Sequence, residues 1–339
     1  MMPGPRFEDK VVFVTGGSSG LGAEACAQFL AEGARVFIMD LAEKDILTRL
    51  KQQLEQTDTP PTDEKATFFQ GDVSKPEDCE TAIGKCIEQH GRLDILFHNA
   101  AQPTPMTTVP YHDVTQFQQI INTNLCSLFY LARVAIPQMQ KQGKGVIVAT
   151  ASTSALAGEY GLASYAASKA GMLNLMRTMA LDHARDNIRI NAICPGYMPT
   201  PMTEGLGDLV KVVEDSIPLG RGGDPKEVAR TVLFLASDDA SYMTGHGECR
   251  RASLIRNLRQ KRQKKKKSVQ RQEWLANLVP AFVLQNSSRC RRRLVRSFWC
   301  PESSEICAPA GESLTWSQSL KSTYPLTMSL GKHSPWSRP

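Results

Sequence analysis

A serine, a tyrosine and a lysine are spaced so that together they could move a proton to or from a substrate oxygen. Tyr165 and Lys169 are four residues apart in a segment with a helical pattern, so both side chains project from one face. A phenol has an ordinary pKa of about 10, and a neighbouring ammonium favours the phenolate, which brings the group into the range of acid–base catalysis. Ser152 lies thirteen residues before Tyr165, at the end of a predicted strand, where it could hydrogen-bond the same oxygen.

A glycine-rich turn, TGGSSGLG at residues 15–22, joins a predicted strand to a predicted helix. Glycine at positions 16, 20 and 22 lets the backbone turn sharply and approach a pyrophosphate, and the start of the helix offers free N–H groups to it. The turn follows the first strand of a crossover unit, and this context favours a dinucleotide site. The predicted cofactor-binding residues of the turn are Gly16, Ser18, Ser19, Gly20, Leu21 and Gly22.

An aspartate closes the next predicted strand. Asp40 lies 24 residues after Gly16, where a carboxylate can accept both hydroxyl groups of an adenine ribose. Residues 17–22 and 41–42 contain no Lys or Arg that could pair with a 2′-phosphate, so Asp40 favours NAD, with NADP as the alternative. A simple cap for the following helix is the other interpretation of Asp40. Two further pairs are expected to line the cleft after the third and fourth strands: Asp72 with Val73, and Asn99 with Ala100.

The elements that must position these residues alternate between strand and helix. Strands are predicted at 10–15, 35–39, 66–70, 93–97, 145–151 and 188–194, and helices at 21–32, 42–56, 76–90, 114–140 and 164–185. Strands separated by helices of this length form the crossover units of a parallel sheet. The predicted fold class is therefore α/β, a doubly wound, Rossmann-like parallel sheet with the site residues at the strand ends.

Residues 10–245 resemble the short-chain dehydrogenase/reductase family. The chain carries the family's TGxxxGxG turn at 15–22, its Ser…Tyr-x-x-x-Lys set and its Pro-Gly segment, PGYMPT at 195–200. The resemblance implies an NAD(P)-dependent oxidoreductase that transfers a hydride between a nicotinamide cofactor and the hydroxyl or keto group of a small molecule. It also implies a homodimer or a homotetramer.

The resemblance implies a role for each matching residue. Tyr165 would be the acid–base group, Ser152 would hold the substrate oxygen, and Lys169 would bind the nicotinamide ribose and lower the pKa of Tyr165. Asn124 would hold a water of a proton relay, and Thr200 would orient the carboxamide of the cofactor. The other cofactor-binding residues that it implies are Pro195, Gly196 and Met198.

The chain departs from the family pattern at two places. His98-Asn99-Ala100-Ala101 stands where the family has Asn-Asn-Ala-Gly, so Ala101 adds a methyl group at a glycine position. After Gly245 no apolar run follows, so the family's last strand is predicted to be missing, which exposes a sheet edge and argues against the implied oligomer. We do not expect His98 to be the catalytic base, and the histidines lack ligand spacing, so no metal site is predicted.

Charge and tryptophan content divide the 339-residue chain near residue 248. Residues 1–248 contain 21 Lys and Arg against 30 Asp and Glu, whereas residues 249–339 contain 19 against 4 and all four tryptophans. This change predicts a dinucleotide-binding domain at 1–247 and a basic tail of low order at 248–339. Three interpretations of the tail are open: a product of a shifted reading frame or gene model, a solvated tail, or an arm that binds nucleic acid.

The composition, 41% hydrophobic and 22% charged, suits a globular protein and excludes a wholly disordered chain. No apolar stretch approaches about 18 residues, and residues 1–10 do not form a secretory signal, so we expect a cytoplasmic protein without a membrane partner. The leading function is the oxidoreductase. Its alternatives are a catalytically impaired, nucleotide-binding remnant and, less favoured, a nucleic-acid binder that acts through the tail.

Overall fold

A parallel sheet with the strand order β3-β2-β1-β4-β5-β6-β7 forms the centre of the computed structural model, which describes residues 5–42, 45–54 and 65–248. The strands are β1 (Val11–Thr15), β2 (Arg35–Asp40), β3 (Ala66–Gln70), β4 (Ile95–His98), β5 (Gly145–Thr150), β6 (Ile188–Ile193) and β7 (Gly247–Glu248). The run VVFVT of β1 is buried throughout, because helices cover both faces of the sheet. The strand order reverses between β1 and β4, and ligands of open α/β sheets bind at such a switch point.

Helices lie on both faces of the sheet. They are α1 (Gly20–Ala31), α2 (Ile46–Leu54), α3 (Pro76–His90), α4 (Val114–Ile121), α5 (Ser127–Gln142), α6 (Ala163–His183), α7 (Leu209–Ser216) and α8 (Pro225–Ala236). One apolar core lies between the sheet and α3, α5 and α6. The other lies between the sheet and α1, α2 and α8. The predicted doubly wound α/β fold is therefore confirmed.

The long helix predicted at 114–140 contains a local change of helix type. A π-helical segment, Asn122–Cys126, joins α4 to α5, and the whole helix continues to Gln142. By length and composition alone, this Val114–Gln142 helix is the one among the described residues that could cross a membrane. Leu128, Leu131 and other side chains of α5 pack in the core with α3 and α6, as in a core helix of a globular fold.

The prediction that the last strand is missing needs correction. Gly247 and Glu248 form a two-residue strand, β7, in parallel register with Ala192 and Ile193 of β6. The approach to β7 is held by Asn191, whose amide nitrogen donates to the Met243 carbonyl at 2.8 Å and whose amide oxygen accepts the His246 N–H at 3.1 Å. Backbone hydrogen bonds pair this strand with β6, so it forms without the alternation of apolar residues by which a strand is recognised in a sequence. The predicted tail from residue 249 onwards lies outside the described residues, and the domain boundary remains a prediction.

Candidate active site

The glycine-rich turn between β1 and α1 is packed too closely for side chains. Gly16 has φ +68°, and a Cβ atom there would lie 2.8 Å from the Cα atom of Ala100. A Cβ atom on Gly22 would lie 2.0 Å from the carbonyl oxygen of Gly16. Only glycine fits these positions, so the backbone at the start of α1 stays open to a ligand.

The turn is tied to the ends of β4 and β5. The hydroxyl oxygen of Thr15 accepts the N–H groups of Asn99 at 3.0 Å and of Ala100 at 3.1 Å. The amide nitrogen of Asn99 donates to the Gly16 carbonyl, and its amide oxygen accepts the hydroxyl of Thr150. The predicted cleft residues Asn99 and Ala100 therefore lie at the switch point of the sheet. The neighbouring Ala101 is not among the residues with positive φ, so its methyl group is tolerated.

Asp40 lies where the sequence places it, beside the glycine-rich turn. Its Oδ2 accepts the N–H of Ser18 at 2.9 Å, and its Oδ1 accepts the N–H of Leu41 at 2.8 Å. Ser18 is buried, and among the described residues its hydroxyl has no hydrogen-bond partner. Arg49 of α2 donates to the Ser18 carbonyl. The sequence did not predict this contact, because Arg49 is 31 residues from Ser18 in the chain and reaches it only through the packing of α2 beside the turn.

Asp72 and Val73 follow β3 and shape the turn into α3. Asp72 Oδ1 accepts the N–H of Ser74 at 2.9 Å, and the N–H of Asp72 donates to Asp78. Val73 is buried. Gln70 pairs with Asp40 in the sheet, which places Asp72 two residues beyond the partner of Asp40. The pair therefore lies at the carboxyl edge of the sheet, on the same side of the switch point as Asp40.

Ser152, Tyr165 and Lys169 come together beyond the end of β5. Lys169 is only 1% exposed, and its Nζ donates to the Thr150 carbonyl at 2.7 Å. The same nitrogen lies 5.7 Å from the centre of the Tyr165 ring. The Ser152 hydroxyl lies near enough to the Tyr165 phenol to influence its pKa, and it donates to Ser154 Oγ at 3.2 Å. The i, i+4 spacing on α6 therefore places Tyr165 and Lys169 together at the end of β5.

Burial controls the ionisation of this group. It raises the pKa of Tyr165 above its ordinary value, while the nearby hydroxyl of Ser152 acts in the opposite direction. Burial also lowers the pKa of Lys169 to about 7. Desolvation is the largest influence on the pKa of Tyr165, and the amine of Lys169 directs its hydrogen bond to the Thr150 carbonyl. The role that the resemblance implies for Lys169, to lower the pKa of Tyr165, stays a prediction.

Asn124 lies in the π-helical segment and is fully buried. Its amide oxygen accepts the N–H of Gln102 at 2.7 Å, and its amide nitrogen donates to the Gln102 carbonyl at 3.0 Å and to Ser168 at 3.3 Å. The side chain therefore fastens the loop after β4 to the helix that carries Lys169. Single π turns within helices are frequent at functional sites.

His98 is buried at the end of β4, and its environment makes it a poor base. Ser127 donates its hydroxyl to the Thr123 carbonyl, so the Nε2–H of His98 donates to Ser127, at 2.7 Å. Burial and the charge of Lys169 lower the pKa of His98 to about 3. The imidazole is therefore neutral at physiological pH and accepts a proton only weakly; that His98 is not the catalytic base stays a prediction.

The Pro-Gly segment closes the cleft near the glycine-rich turn. The Pro195 carbonyl accepts the N–H of Thr153, next to Ser152. At the other end of the segment, a Cβ atom on Gly20 would lie 3.3 Å from the methyl group of Thr200. Thr203 fixes this end because its hydroxyl donates to the carbonyl of Met198 at 2.7 Å. Gly196 has open space around it.

A cluster that the sequence did not predict lies one residue before Tyr165. The buried Ser164 Oγ is 2.8 Å from Nε2 of His112 and 2.9 Å from Oγ1 of Thr104. The three side chains hold the loop after β4 against the start of α6. They are far apart in the chain and form no motif, so the sequence carries no signal for the cluster.

Comparison with known proteins agrees with this geometry. A family model described as enoyl-(acyl carrier protein) reductase matches residues 16–247. The 3-oxoacyl-[acyl-carrier-protein] reductase FabG of Thermotoga maritima is 36% identical over 241 residues, which cover 71% of this chain and 95% of that protein. The crystal structure of levodione reductase matches with a TM-score of 0.67 and 33% identity, over 72% of this chain and 97% of that one. A 3-ketoacyl-(acyl-carrier-protein) reductase from Brucella melitensis, complexed with NADH, matches with a TM-score of 0.65 and 29% identity, again over 72% and 97%.

Proposed function

The chain belongs to the short-chain dehydrogenase/reductase family of oxidoreductases, and we propose that Ser152, Tyr165 and Lys169 carry its reaction on a hydroxyl or keto group. The observation that supports this assignment is the position of the Tyr165 ring, which lies 5.7 Å from the buried amine of Lys169 and near the Ser152 hydroxyl. A phenol, a hydroxyl and an amine at one point of the cleft can bind an oxygen and exchange its proton.

The residues of the cleft fit a nicotinamide dinucleotide. The glycines at 16 and 22 leave no room for a Cβ atom, the buried hydroxyl of Ser18 lacks a partner among the described residues, and Asp40 offers a carboxylate to a ribose. When bound, the cofactor supplies or accepts the hydride. Gly16, Gly20 and Gly22 would approach its pyrophosphate and Asp40 would bind its adenine ribose, and we propose that Asp40 makes NAD the preferred cofactor.

Tyr165 is the proton-exchanging group of this proposal. Because burial raises the pKa of Tyr165, its phenol stays protonated at neutral pH and can donate to a carbonyl oxygen. The hydroxyl of Ser152 holds the same oxygen. Lys169 has a pKa of about 7, and such a group both accepts and releases a proton near neutrality, which supports a role in returning the proton to Tyr165.

The proposed location is the cytoplasm. The described cysteines, Cys26, Cys79, Cys86, Cys126 and Cys194, are free thiols. Burial raises the pKa of Cys86 to about 12 and that of Cys79 to about 12, so both thiols stay protonated and unreactive. Free thiols in a globular domain are typical of a reducing compartment.

Two measurements on the full chain test the proposed function. The first is a thermal unfolding scan with and without NADH, in which saturating cofactor at 100 times its Kd stabilises the fold by about 2.7 kcal/mol. The second is turnover of NADH with a panel of ketones and diketones. The proposal expects both a shift and turnover. A shift without turnover across the panel would favour the catalytically impaired remnant, and the absence of both would refute the cofactor site.

A further inference from the structure

The helix that carries Tyr165 and Lys169 begins without a side-chain cap. α6 starts at Ala163, and the preceding Leu162 has an apolar side chain that cannot accept the N–H groups of the first turn. Tyr165 lies within this first turn. Because an uncapped helix end frays, the position of the Tyr165 phenol depends on contacts from outside α6.

Ser164 makes such contacts directly before Tyr165. Its side chain is buried, and its Oγ lies 2.8 Å from Nε2 of His112 and 2.9 Å from Oγ1 of Thr104. His112 lies just before α4, and Thr104 lies in the loop after β4. These three side chains, the Ser164 cluster, therefore join the first turn of α6 to a segment 52 to 60 residues away in the chain.

The hydrogen bonds of the Ser164 cluster have a defined direction. Nδ1 of His112 lies 3.0 Å from the Asp113 carbonyl oxygen, which can only accept, so Nδ1 carries the hydrogen. In the neutral imidazole Nε2 is then an acceptor, and the Ser164 hydroxyl donates to it. The Ser164 oxygen in turn accepts the hydroxyl of Thr104. Because Ser164 is fully buried, His112 takes the place of water as its acceptor, and loss of that acceptor leaves the hydroxyl desolvated and unpaired.

Tyr165 lies between the Ser164 cluster and a second fixed point on the same helix. The hydroxyl of Ser168 donates to the Tyr165 carbonyl at 2.7 Å, and the amide nitrogen of Asn124 donates to Ser168 at 3.3 Å. The backbone of Tyr165 is therefore held from residue 164 on one side and from residue 168 on the other. Reacting groups must stand about 3–3.5 Å apart, and a displacement of about 1 Å can slow a reaction by about 100-fold. Proton exchange at the phenol therefore depends on both fixed points.

We propose that His112 is a positioning residue of the reaction: through Ser164 it fixes the first turn of α6 and thereby sets the place of the Tyr165 phenol beside the substrate oxygen. The proposal rests on the proposed function, because it assumes that Tyr165 exchanges the proton. Nε2 of His112 is engaged with the Ser164 hydroxyl and Nδ1 with a backbone carbonyl, so the imidazole acts through Ser164 and not on the substrate.

Steady-state kinetics of the full chain with NADH and an active ketone tests this proposal with two substitutions at one position. His112→Leu removes the acceptor, whereas His112→Gln keeps one, because its amide oxygen can accept the Ser164 hydroxyl. Ser164→Ala is a second variant, which removes the hydroxyl and carries the test if His112→Leu does not fold. His183→Leu is the matched control, because His183 ends the same helix and its Nδ1 is bonded to Asp186 at 2.9 Å. Cofactor fluorescence gives the Kd for NADH, and a thermal unfolding scan of each variant checks the fold.

The expected result is a loss of kcat without a loss of binding. His112→Leu lowers kcat by about tenfold, while the KM for the ketone and the Kd for NADH stay within about twofold, because a displaced phenol slows proton exchange. His112→Gln keeps kcat within about threefold of the unaltered chain, since the acceptor is restored. Ser164→Ala lowers kcat by a factor similar to that of His112→Leu, and the double variant is no slower than either, because both residues act through one hydrogen bond. His183→Leu keeps kcat within about twofold, even where its melting temperature falls.

Three outcomes would overturn the proposal, and they differ from a failure of the proposed function. Equal losses of kcat in His112→Leu and His112→Gln would show that the acceptor for Ser164 does not matter. An equal loss in His183→Leu would show that kcat follows the general stability of α6. Unchanged kcat in both His112→Leu and Ser164→Ala would show that the Ser164 cluster does not position the phenol. If the unaltered chain turned over no ketone, the proposed function itself would fail, and this proposal with it.

Discussion

The two ends of the cleft use charged side chains in opposite ways. At the catalytic end, Lys169 is 1% exposed and its amine is bonded to a backbone carbonyl. At the adenosine end, Arg49 is exposed and Asp40 half-buried. Desolvation shifts the pKa of Lys169 to about 7, whereas the charges of the adenosine end stay in contact with water. Burial thus changes the ionisation of the amine at one end, and the charged groups at the other end remain accessible to water.

Because of this difference, we expect substitutions at the two ends to have different effects on activity and on stability. A buried polar group that loses its partner costs the full desolvation penalty, so substitutions at the catalytic end affect both chemistry and packing. An exposed charge contributes little to stability, so substitutions at the adenosine end change selectivity and leave the fold intact. The predictions below separate the two ends by the size and the kind of the effect.

The largest effect is expected for Lys169→Met. Methionine has a similar length, but it cannot donate to the Thr150 carbonyl or exchange a proton, so turnover should fall by about 100-fold or more. Steady-state kinetics with NADH and an active ketone measures the loss. Lys211→Met is the control, because Lys211 is exposed and forms a surface ion pair with Asp215. Turnover of Lys169→Met within about threefold of the unaltered chain would contradict a catalytic role.

The next largest effect is expected for a substitution in the glycine-rich turn. Gly22→Ala places a Cβ atom 2.0 Å from the Gly16 carbonyl oxygen, and the forced shift should destabilise the fold by about 1–3 kcal/mol and abolish the stabilisation by NADH. Gly84→Ala in α3 is the control, because no atom lies within 4 Å of its Cβ position. It should raise the free energy of unfolding by about 0.5–1 kcal/mol. Equal melting temperatures in the two variants would contradict the packing described for the turn.

A smaller effect depends on pH and tests burial at the catalytic end. His98 has a pKa of about 3 in the fold, against about 6.5 for an unfolded histidine. Below pH 6.5 the unfolded chain therefore binds a proton at His98 that the folded chain does not bind. The contribution of His98 to the free energy of unfolding is fully present above pH 6.5 and is lost as the pH falls towards 3. In that window His98 contributes a slope of about 1.4 kcal/mol per pH unit.

Removing the imidazole should remove this slope. Urea unfolding of His98→Asn between pH 6.5 and pH 4 is expected to show a shallower loss of stability than the unaltered chain. Turnover at neutral pH should remain, because the imidazole is neutral and bonded to Ser127. A pH dependence identical to that of the unaltered chain would show that His98 titrates in the fold as it does in the unfolded chain.

The smallest effect is expected at the exposed end. Asp40→Asn removes the charge that repels a 2′-phosphate, while its amide oxygen can still accept the N–H of Ser18. The ratio of NADPH to NADH affinity should rise by about three- to tenfold, with the melting temperature unchanged within about 2 °C. Cofactor fluorescence measures the ratio. A fall in the ratio would contradict the assignment of Asp40 to the adenine ribose.

The sequence predicted the parts of this molecule that depend on local spacing. The glycines at 16, 20 and 22 and the pair Tyr165 and Lys169 are visible within a few residues, because a turn and one helical face fix their geometry. The alternating strand and helix pattern predicted the doubly wound sheet for the same reason.

What the sequence did not predict depends on contacts between distant segments. Arg49 reaches Ser18 only because α2 returns to the turn, and Ser164, Thr104 and His112 meet across the loop after β4. The raised pKa of Tyr165 was missed because spacing shows the neighbouring lysine and not the loss of water around the phenol. The short strand β7 was missed because its pairing uses the backbone alone.

Replacement of a single oxygen atom tests the central claim, that Tyr165 exchanges the proton. Turnover and NADH binding should be measured side by side for Tyr165→Phe and for the control Tyr242→Phe, whose ring is fully exposed. We expect Tyr165→Phe to lose turnover by about 100-fold or more while its Kd for NADH stays within about threefold, and the control to change neither. Near-normal turnover in Tyr165→Phe would contradict the account.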